Sequence, residues 1–432
     1  MKRVSSFFSV FFIVLSASAQ SQKPTNIIMV VGDGMGPAYT TAYRYFADDK
    51  SSPTIEMTVF DRHLVGMAST YPARTSGYVT DSAASATALS TGYKSYNGAI
   101  GVDANKQPQQ TVLEWARLKG MKTGVAVTSQ INHATPASYA SHNEYRRNYD
   151  AIADSYFDDR VDGKFVLDVM LGGGWKYFIR DDRNLVNEFK SAGYQYIDDI
   201  NNLGSLDPKQ PVLGLFGDEG MPWVLDTQSQ PRLPALVKTA VYHLTNDKGY
   251  FLLVEGSQID WAGHANDVAS AMAETHDLAL TLEWLESYVE NSPDTLVVVT
   301  ADHSTGGFTI AANKDYRWDP EPLKTLKASL VTIATQMSAS DQPYKTAESL
   351  MGTTLSEKEK ALLAKVEIGD IRALYTQLKR IMDLRTNTGW TTSGHTAVDV
   401  QIFAMGKGAQ LFNGHMDNTE IPKKIFALLG KP

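Results

Sequence analysis

Five short apolar runs punctuate the chain: NIIMVV (26–31), TGVAVT (123–128), YFLLVE (250–255), TLVVVT (295–300) and VQIFAM (400–405). They are rich in β-branched residues and apolar on consecutive positions, the pattern of strands covered on both faces. Between them the apolar period changes. Val268, Met272, Thr275, Leu278, Leu282, Leu285 and Val289 recur at helical spacing, as do Leu113 and Trp115 to Leu118 before the second run and Ile421 to Leu429 at the chain end. Doubly covered strands alternating with helices predict a three-layer α/β/α fold around a central, mostly parallel sheet.

Two sections depart from that rhythm. Residues 313–390 show no clear strand run. They carry a capping-box signal, Ser356 to Glu359, which opens a helical pattern through Leu362, Leu363 and Val366 and on to Ile371, Leu374, Leu378 and Ile381. This section reads as a helical insertion packed on the main domain, placed to form an interface or to shape a site mouth. Residues from about 163 to 234 contain LGGGWKYF and several Gly and Pro turns, and read as surface loops and short helices. The triple glycine lacks the spacing of a phosphate-binding loop and reads as a turn.

Composition narrows the setting. With 432 residues, 43% hydrophobic and 20% charged, the chain is long enough for a large core. Acidic residues outnumber basic ones, 48 to 40, so the charge balance does not suggest a nucleic-acid-binding surface. Lys2 and Arg3 precede the apolar run Phe7 to Leu15 and the small residues Ala17-Ser18-Ala19, which predicts a signal peptide over 1–19, cleavage after Ala19 and a mature domain over 20–432. The protein is then expected outside the cytoplasm, periplasmic or extracellular, with no membrane span in the mature chain. The chain contains no cysteine, so any metal must be held by imidazoles and carboxylates.

The polar residues gather where the strand runs end. Asp33 follows the first run, His133 and Thr135 the second, Glu255 closes the third, and Asp302 and His303 follow the fourth. In an open parallel sheet the C-terminal strand ends share one edge, where ligands bind. Asp260 and His264 stand four apart in GSQIDWAGHAND, which is either an ordinary exposed pair on a helix or two ligands of one metal on one face. His395 sits in SGHTA before the last run. Three histidines and several carboxylates without a thiol suit two zinc ions, and the oxygen set Asp33, Thr135 and Glu255 suits magnesium. In YVTDSAASATALSTG (78–92), Asp81 and Ser82 head a run of small residues. Either they cap a helix, or Ser82 is also a nucleophile whose helix N-terminus favours an anion. A pair of metals beside a serine points to phosphoryl transfer.

The segments VGDGMGP, TDSAASATAL, HATPA, VEGSQIDWAGHAND, TADHSTGG and SGHTA, in that order, resemble the signature segments of the alkaline phosphatases. The resemblance runs from about Asn26 to the last strand. It implies an alkaline-phosphatase-like fold and hydrolysis of a broad range of phosphate monoesters through a phosphoserine on Ser82. It assigns Asp260, His264 and His395 to one zinc, Asp302 and His303 with a bridging Asp33 to the second, and Thr135 and Glu255 to magnesium, and counts Ser82 itself among the metal ligands. It makes Arg146 the phosphate clamp, with Arg147 as a register rival, and leaves Asp81 to position Arg146. His133 and Trp261 occupy positions that vary in the family. With histidine at 133 the third site is open to zinc as well as magnesium, and a neutral indole at 261 is expected to weaken retention of phosphate. The family is often homodimeric, so a homodimer is the assembly expected here. The competing readings are a related two-metal phosphodiesterase or nucleotide pyrophosphatase, which would lack the DSAAS run and the arginine after HATPA, and a non-catalytic phosphate- or metal-binding envelope protein.

Overall fold

The computed structural model describes residues 23–227 and 231–431. The signal-peptide expectation over 1–19 lies outside these residues. The strands are β1 Asn26–Val31, β2 Leu64–Ser69, β3 Lys122–Gln130, β4 Val169–Gly173, β5 Gln195–Ile197, β6 Val212–Leu215, β7 Tyr250–Glu255, β8 Thr295–Thr300, β9 Ser304–Thr305, β10 Thr309–Ile310, β11 Thr388–Gly389, β12 His395–Thr396, β13 Val400–Gly406 and β14 Gly414–Asp417. Ten of them form one sheet in the order β14-β2-β13-β8-β1-β7-β3-β4-β6-β5. Within it only β13 runs antiparallel to its neighbours. The remaining four form two short pairs, β10 with β11 and β9 with β12.

β1, β7 and β8 are buried along nearly their whole length, as their consecutive apolar residues require. One helical layer contains Ser82–Thr91, Val112–Leu118, Ala134–Ala140 and Glu420–Leu428; the other contains Pro37–Ala47, Arg232–Leu244, Gln258–Ala265 and Val268–Asn291. Each group packs within itself and on the central strands, which gives the three layers. Among the described residues, no helix is long and apolar enough to cross a membrane.

The section from 163 to 234 is not the loop region its turns suggest. It contributes β4, β5 and β6, which extend the sheet in parallel beyond β3. Their runs are only three to five residues long, and in VMLGG two glycines take strand positions because Ile131, Val127 and the Glu219 backbone approach too closely for a side chain. Gly174, at φ +122°, makes the turn that follows. Between β8 and β13 the chain forms five helices, Glu321–Lys324, Leu330–Ser338, Pro343–Met351, Glu357–Leu363 and Ile371–Thr386. The capping box of Ser356 and Glu359 is present at the fourth.

What positions the site is strand order. β8, β1, β7 and β3 are consecutive neighbours and mutually parallel. The residues following their C-terminal ends therefore meet on one edge although they lie up to 270 positions apart in sequence (Asp33 to Asp302 and His303).

Candidate active site

Ser82 opens the helix Ser82–Thr91, and Asp81 is its N-cap, with a carboxylate oxygen accepting from the Ala84 N–H at 2.9 Å. Every residue of this helix is buried, and all but Leu89 are small. Ser82 Oγ lies 3.1 Å from His303 Nε2. Arg146 Nη1 donates to the other Asp81 oxygen at 2.9 Å, and Nη2 lies 3.3 Å from His133 Nε2. One cap thus serves both a helix start and a guanidinium. Arg147 is exposed at the cleft rim, while Arg146 is partly buried. The cleft has a volume of about 430 Å³ and is lined by Ser82, Arg146, His133, Trp261, His264 and His395, among others. The Trp261 ring stands edge-on to His133, with centroids 5.9 Å apart.

Potential ligand atoms gather into three groups: Asp260 with His264 and His395, Asp33 with Asp302 and His303, and Asp33 with His133 and Glu255; within each, the atoms lie within 4.8 Å of one another. The helix Gln258–Ala265 puts Asp260 and His264 on one face, with His264 Nε2 3.3 Å from Asp260 Oδ2. His395 Nε2 is 3.6 Å from Asp260 Oδ1 and 3.0 Å from His264 Nε2. The other ring nitrogens are committed: His264 Nδ1–H donates to the Ser393 carbonyl at 2.6 Å and His395 Nδ1–H to the Thr80 carbonyl at 2.9 Å. With Nδ1 of each ring so committed, Nε2 is the atom left to face the neighbouring ring and the Asp260 carboxylate, the outer support typical of ligating histidines.

The second group repeats the pattern. His303 Nδ1 is 3.2 Å from the Thr305 hydroxyl, and His303 Nε2 faces Asp302 Oδ2 at 3.2 Å and Asp33 Oδ1 at 3.6 Å. The other Asp302 oxygen accepts from the N–H groups of Gly34 and His303, each at 3.0 Å. In the third group one Glu255 oxygen accepts from the Ser257 hydroxyl at 2.6 Å. Both Asp33 oxygens, Glu255 Oε1, Thr135 Oγ1 and His133 Nδ1 are buried without a hydrogen-bond partner. Such orphaned acceptors are costly in a protein interior, and a cation would satisfy them together. The donor set fits divalent ions on those grounds.

Electrostatics agrees with the geometry. Burial, reinforced by Asp302, Asp260 and Glu255, pushes Asp33 well above the usual carboxylate range. Burial likewise raises Glu255 to about 7 and Asp302 to about 6. Asp260 goes the other way: against burial, the hydrogen bond from His264 and the nearby imidazoles hold it low. The hydrogen bond to Asp260 raises His264 to about 9, whereas burial and then Arg146 lower His133 to about 3. Carboxyls that hold protons in the metal-free chain are groups that a bound cation would ionise.

Every sequence-selected residue therefore reaches this edge: Asp33, Asp81, Ser82, His133, Thr135, Arg146, Glu255, Asp260, Trp261, His264, Asp302, His303 and His395. Sequence reading passed over three contributors. Thr305 lies within the quoted TADHSTGG but carries neither a charge nor an imidazole to single it out. Asn97 holds the loop before Ser82, accepting from the Asp81 N–H at 3.0 Å and donating to the Val79 carbonyl at 3.0 Å. Ser257 supports Glu255. Ser257 lies within the quoted VEGSQIDWAGHAND, where a serine hydroxyl carries no distinguishing signal, and no motif marks Asn97.

A family model described as alkaline phosphatase matches residues 24–430. The chain is 44% identical to alkaline phosphatase 3 of Bacillus subtilis, over 96% of this chain and 92% of that protein. Its structure is similar to that of a cold-active alkaline phosphatase from a psychrophilic Shewanella sp., with a TM-score of 0.89 at 52% identity, covering 94% of this chain and all of the other. It also resembles the alkaline phosphatase of the Antarctic bacterium TAB5, seen in a His-to-Asp mutant with magnesium bound in the M3 site, with a TM-score of 0.70 at 29% identity, covering 95% of this chain and 99% of that one. A match over nearly the whole chain, on a sheet edge that gathers a buried serine, an arginine and three clusters of imidazoles and carboxylates, makes this chain a member of the alkaline phosphatase family, the metal-dependent phosphomonoesterases.

Proposed function

We propose that this phosphomonoesterase works through a covalent phosphoserine on Ser82, with two zinc ions and one magnesium. Asp260, His264 and His395 would hold the first zinc, and Asp302, His303 and Asp33 the second. Asp33, Thr135 and Glu255 would hold the magnesium, with His133 beside them leaving that third site open to zinc. When bound, the zinc ions supply Lewis-acid stabilisation to the attacking and leaving oxygens and ease ionisation of the serine hydroxyl. The observation that carries this reading is Ser82 Oγ at 3.1 Å from His303 Nε2, at the junction of the clustered acceptors.

The chain's own groups define the rest. Arg146, steadied by Asp81, offers a planar fork to two phosphoryl oxygens. Ser82 Oγ attacks phosphorus in line, the bond to the alcohol oxygen breaks, and the phosphate remains on serine. The N-terminus of the helix Ser82–Thr91 favours that anion. Water then displaces the serine oxygen from the opposite side and frees inorganic phosphate. The clamp grips the phosphoryl group and leaves the alcohol in the cleft mouth, which suits a broad range of monoesters.

Residues 1–19 act in this reading as an export signal, with the mature domain 20–432 periplasmic or extracellular and homodimeric. The insertion 313–390 buttresses the site: Tyr375 donates to Asp267 at 2.9 Å, and Lys379 donates to the Ala265 carbonyl at the end of the helix bearing Asp260 and His264.

The test is hydrolysis of an aryl phosphate by the pure protein, with and without chelator, beside Ser82→Ala. Chelation should abolish turnover, and Ser82→Ala should lower kcat by at least about 10³-fold with metal content unchanged. Full activity in the chelated protein overturns the metal mechanism. A phosphorylated protein trapped from Ser82→Ala overturns the nucleophile.

A further inference from the structure

Thr305 stands between the two groups assigned to zinc. It is fully buried, its hydroxyl donates to Asp260 Oδ1, and the same oxygen lies 3.2 Å from His303 Nδ1. A hydroxyl carries a single proton, and an ionised carboxylate can only accept. The Thr305 proton is therefore spent on Asp260, and its oxygen must accept from His303 Nδ1–H. That fixes the His303 tautomer and turns the Nε2 lone pair toward Asp302, Asp33 and Ser82. The backbone of Thr305 also pairs with His395 in the ladder of β9 and β12. One residue thus touches Asp260 and His395 of the first group and His303 of the second.

Packing leaves this residue little freedom. Tyr39 donates its hydroxyl proton to the Thr305 carbonyl at 2.8 Å. A side chain at Gly263 would begin 2.5 Å from that tyrosine oxygen and 2.9 Å from Thr305 Cβ, so the helix presses directly on both.

From this geometry we propose that Thr305 is a positioning residue that couples the two zinc groups, so that an ion bound at either one orders a ligand of the other. Outer-shell partners of ligating histidines change metal affinity by about 10–100-fold when lost. Here one hydroxyl is the partner of a ligand in each group, so its loss should weaken both sites and uncouple them. The inference rests on the assignment of these groups to two zinc ions.

The experiment uses the full-length, zinc-loaded protein and follows release of zinc to a chromophoric chelator in wild type, Thr305→Ser and Thr305→Val. Wild type and Thr305→Ser should give up both ions over one common range of chelator concentration. Thr305→Val should release them in two separated steps, both at least about tenfold earlier. A Thr305→Val curve that superimposes on wild type overturns the coupling, even if activity has fallen. A wild type that holds no stoichiometric zinc overturns the underlying two-zinc assignment, a distinguishable result. Near-UV circular dichroism checks the fold, and where Thr305→Val does not fold, Thr305→Ala carries the same comparison.

Discussion

Asp81 joins two tasks in one carboxylate, capping the Ser82 helix with one oxygen and holding Arg146 with the other. Substrate affinity should turn on that contact. Arg146→Lys keeps the charge but loses the planar fork, and a lost charge-assisted hydrogen bond of about 1.5–3 kcal/mol corresponds to roughly a 10–100-fold rise in KM for an aryl phosphate, read by steady-state kinetics. Trp261 makes the opposite test. Its neutral ring lines the cleft beside His133, so Trp261→Lys adds a cation where phosphate leaves. It should tighten product inhibition by about tenfold, and an unchanged inhibition constant would remove Trp261 from product release. At this scale the candidate ligand residues were legible because imidazoles and carboxylates follow strand runs in the sequence. Thr305 and Asn97 were not, because a hydroxyl or amide acquires a role only from what lies within hydrogen-bond reach.

Between residues and fold, the decisive element is the tight turn after β1. Gly34 has φ +71°, and an added Cβ would lie 2.8 Å from Asp260 Cα, which is backbone and cannot swing away. The turn brings Asp33 and the Asp260 helix together only because position 34 has no side chain. Gly34→Ala should cost about 2 kcal/mol or more in chemical denaturation, from the left-handed backbone and the overlap, and should lower bound zinc measured on the same samples. A variant of wild-type stability and metal content would show that the turn is not tight. The long buried strands and the helix at 268–291 were readable from period alone. β4, β5 and β6 were missed, since runs of three to five residues, two of them containing glycine, give too few positions to show a period, and parallel pairing outward from β3 supplied what the local pattern lacked.

Across the molecule, burial and hydrogen bonding at the candidate site hold protons on groups that a bound cation would ionise. In the metal-free chain Glu255 sits at about 7 and His264 at about 9, both above their ordinary values. Between pH 6.5 and 9 the folded chain therefore holds protons the unfolded chain has released, and stability falls as pH rises through that window. His133 and His303, both depressed, are neutral in the folded chain; they oppose that slope below about pH 7.5, where the unfolded imidazoles still bind protons, and add none above it. Glu274 and Asp383, raised by burial to about 7 away from the clusters, add the same slope to metal-free and metal-loaded protein alike. Melts from pH 6.5 to 9 should therefore show a steeper loss of stability in chelated than in metal-loaded protein, while metal affinity rises with pH. Equal slopes would mean that these groups do not exchange protons for metal.

The amino-acid sequence by itself determined the layered fold class, the family through six motifs, and which imidazoles and carboxylates follow which strands, because burial period and ligand chemistry are local properties. The tertiary structure decided the rest: that β8, β1, β7 and β3 are neighbours, that Asp81 meets Arg146, and which nitrogen of each histidine keeps its proton. Those outcomes depend on strand order and on partners that can lie tens to hundreds of residues away, and hydrogen bonds have direction only once both ends are in place.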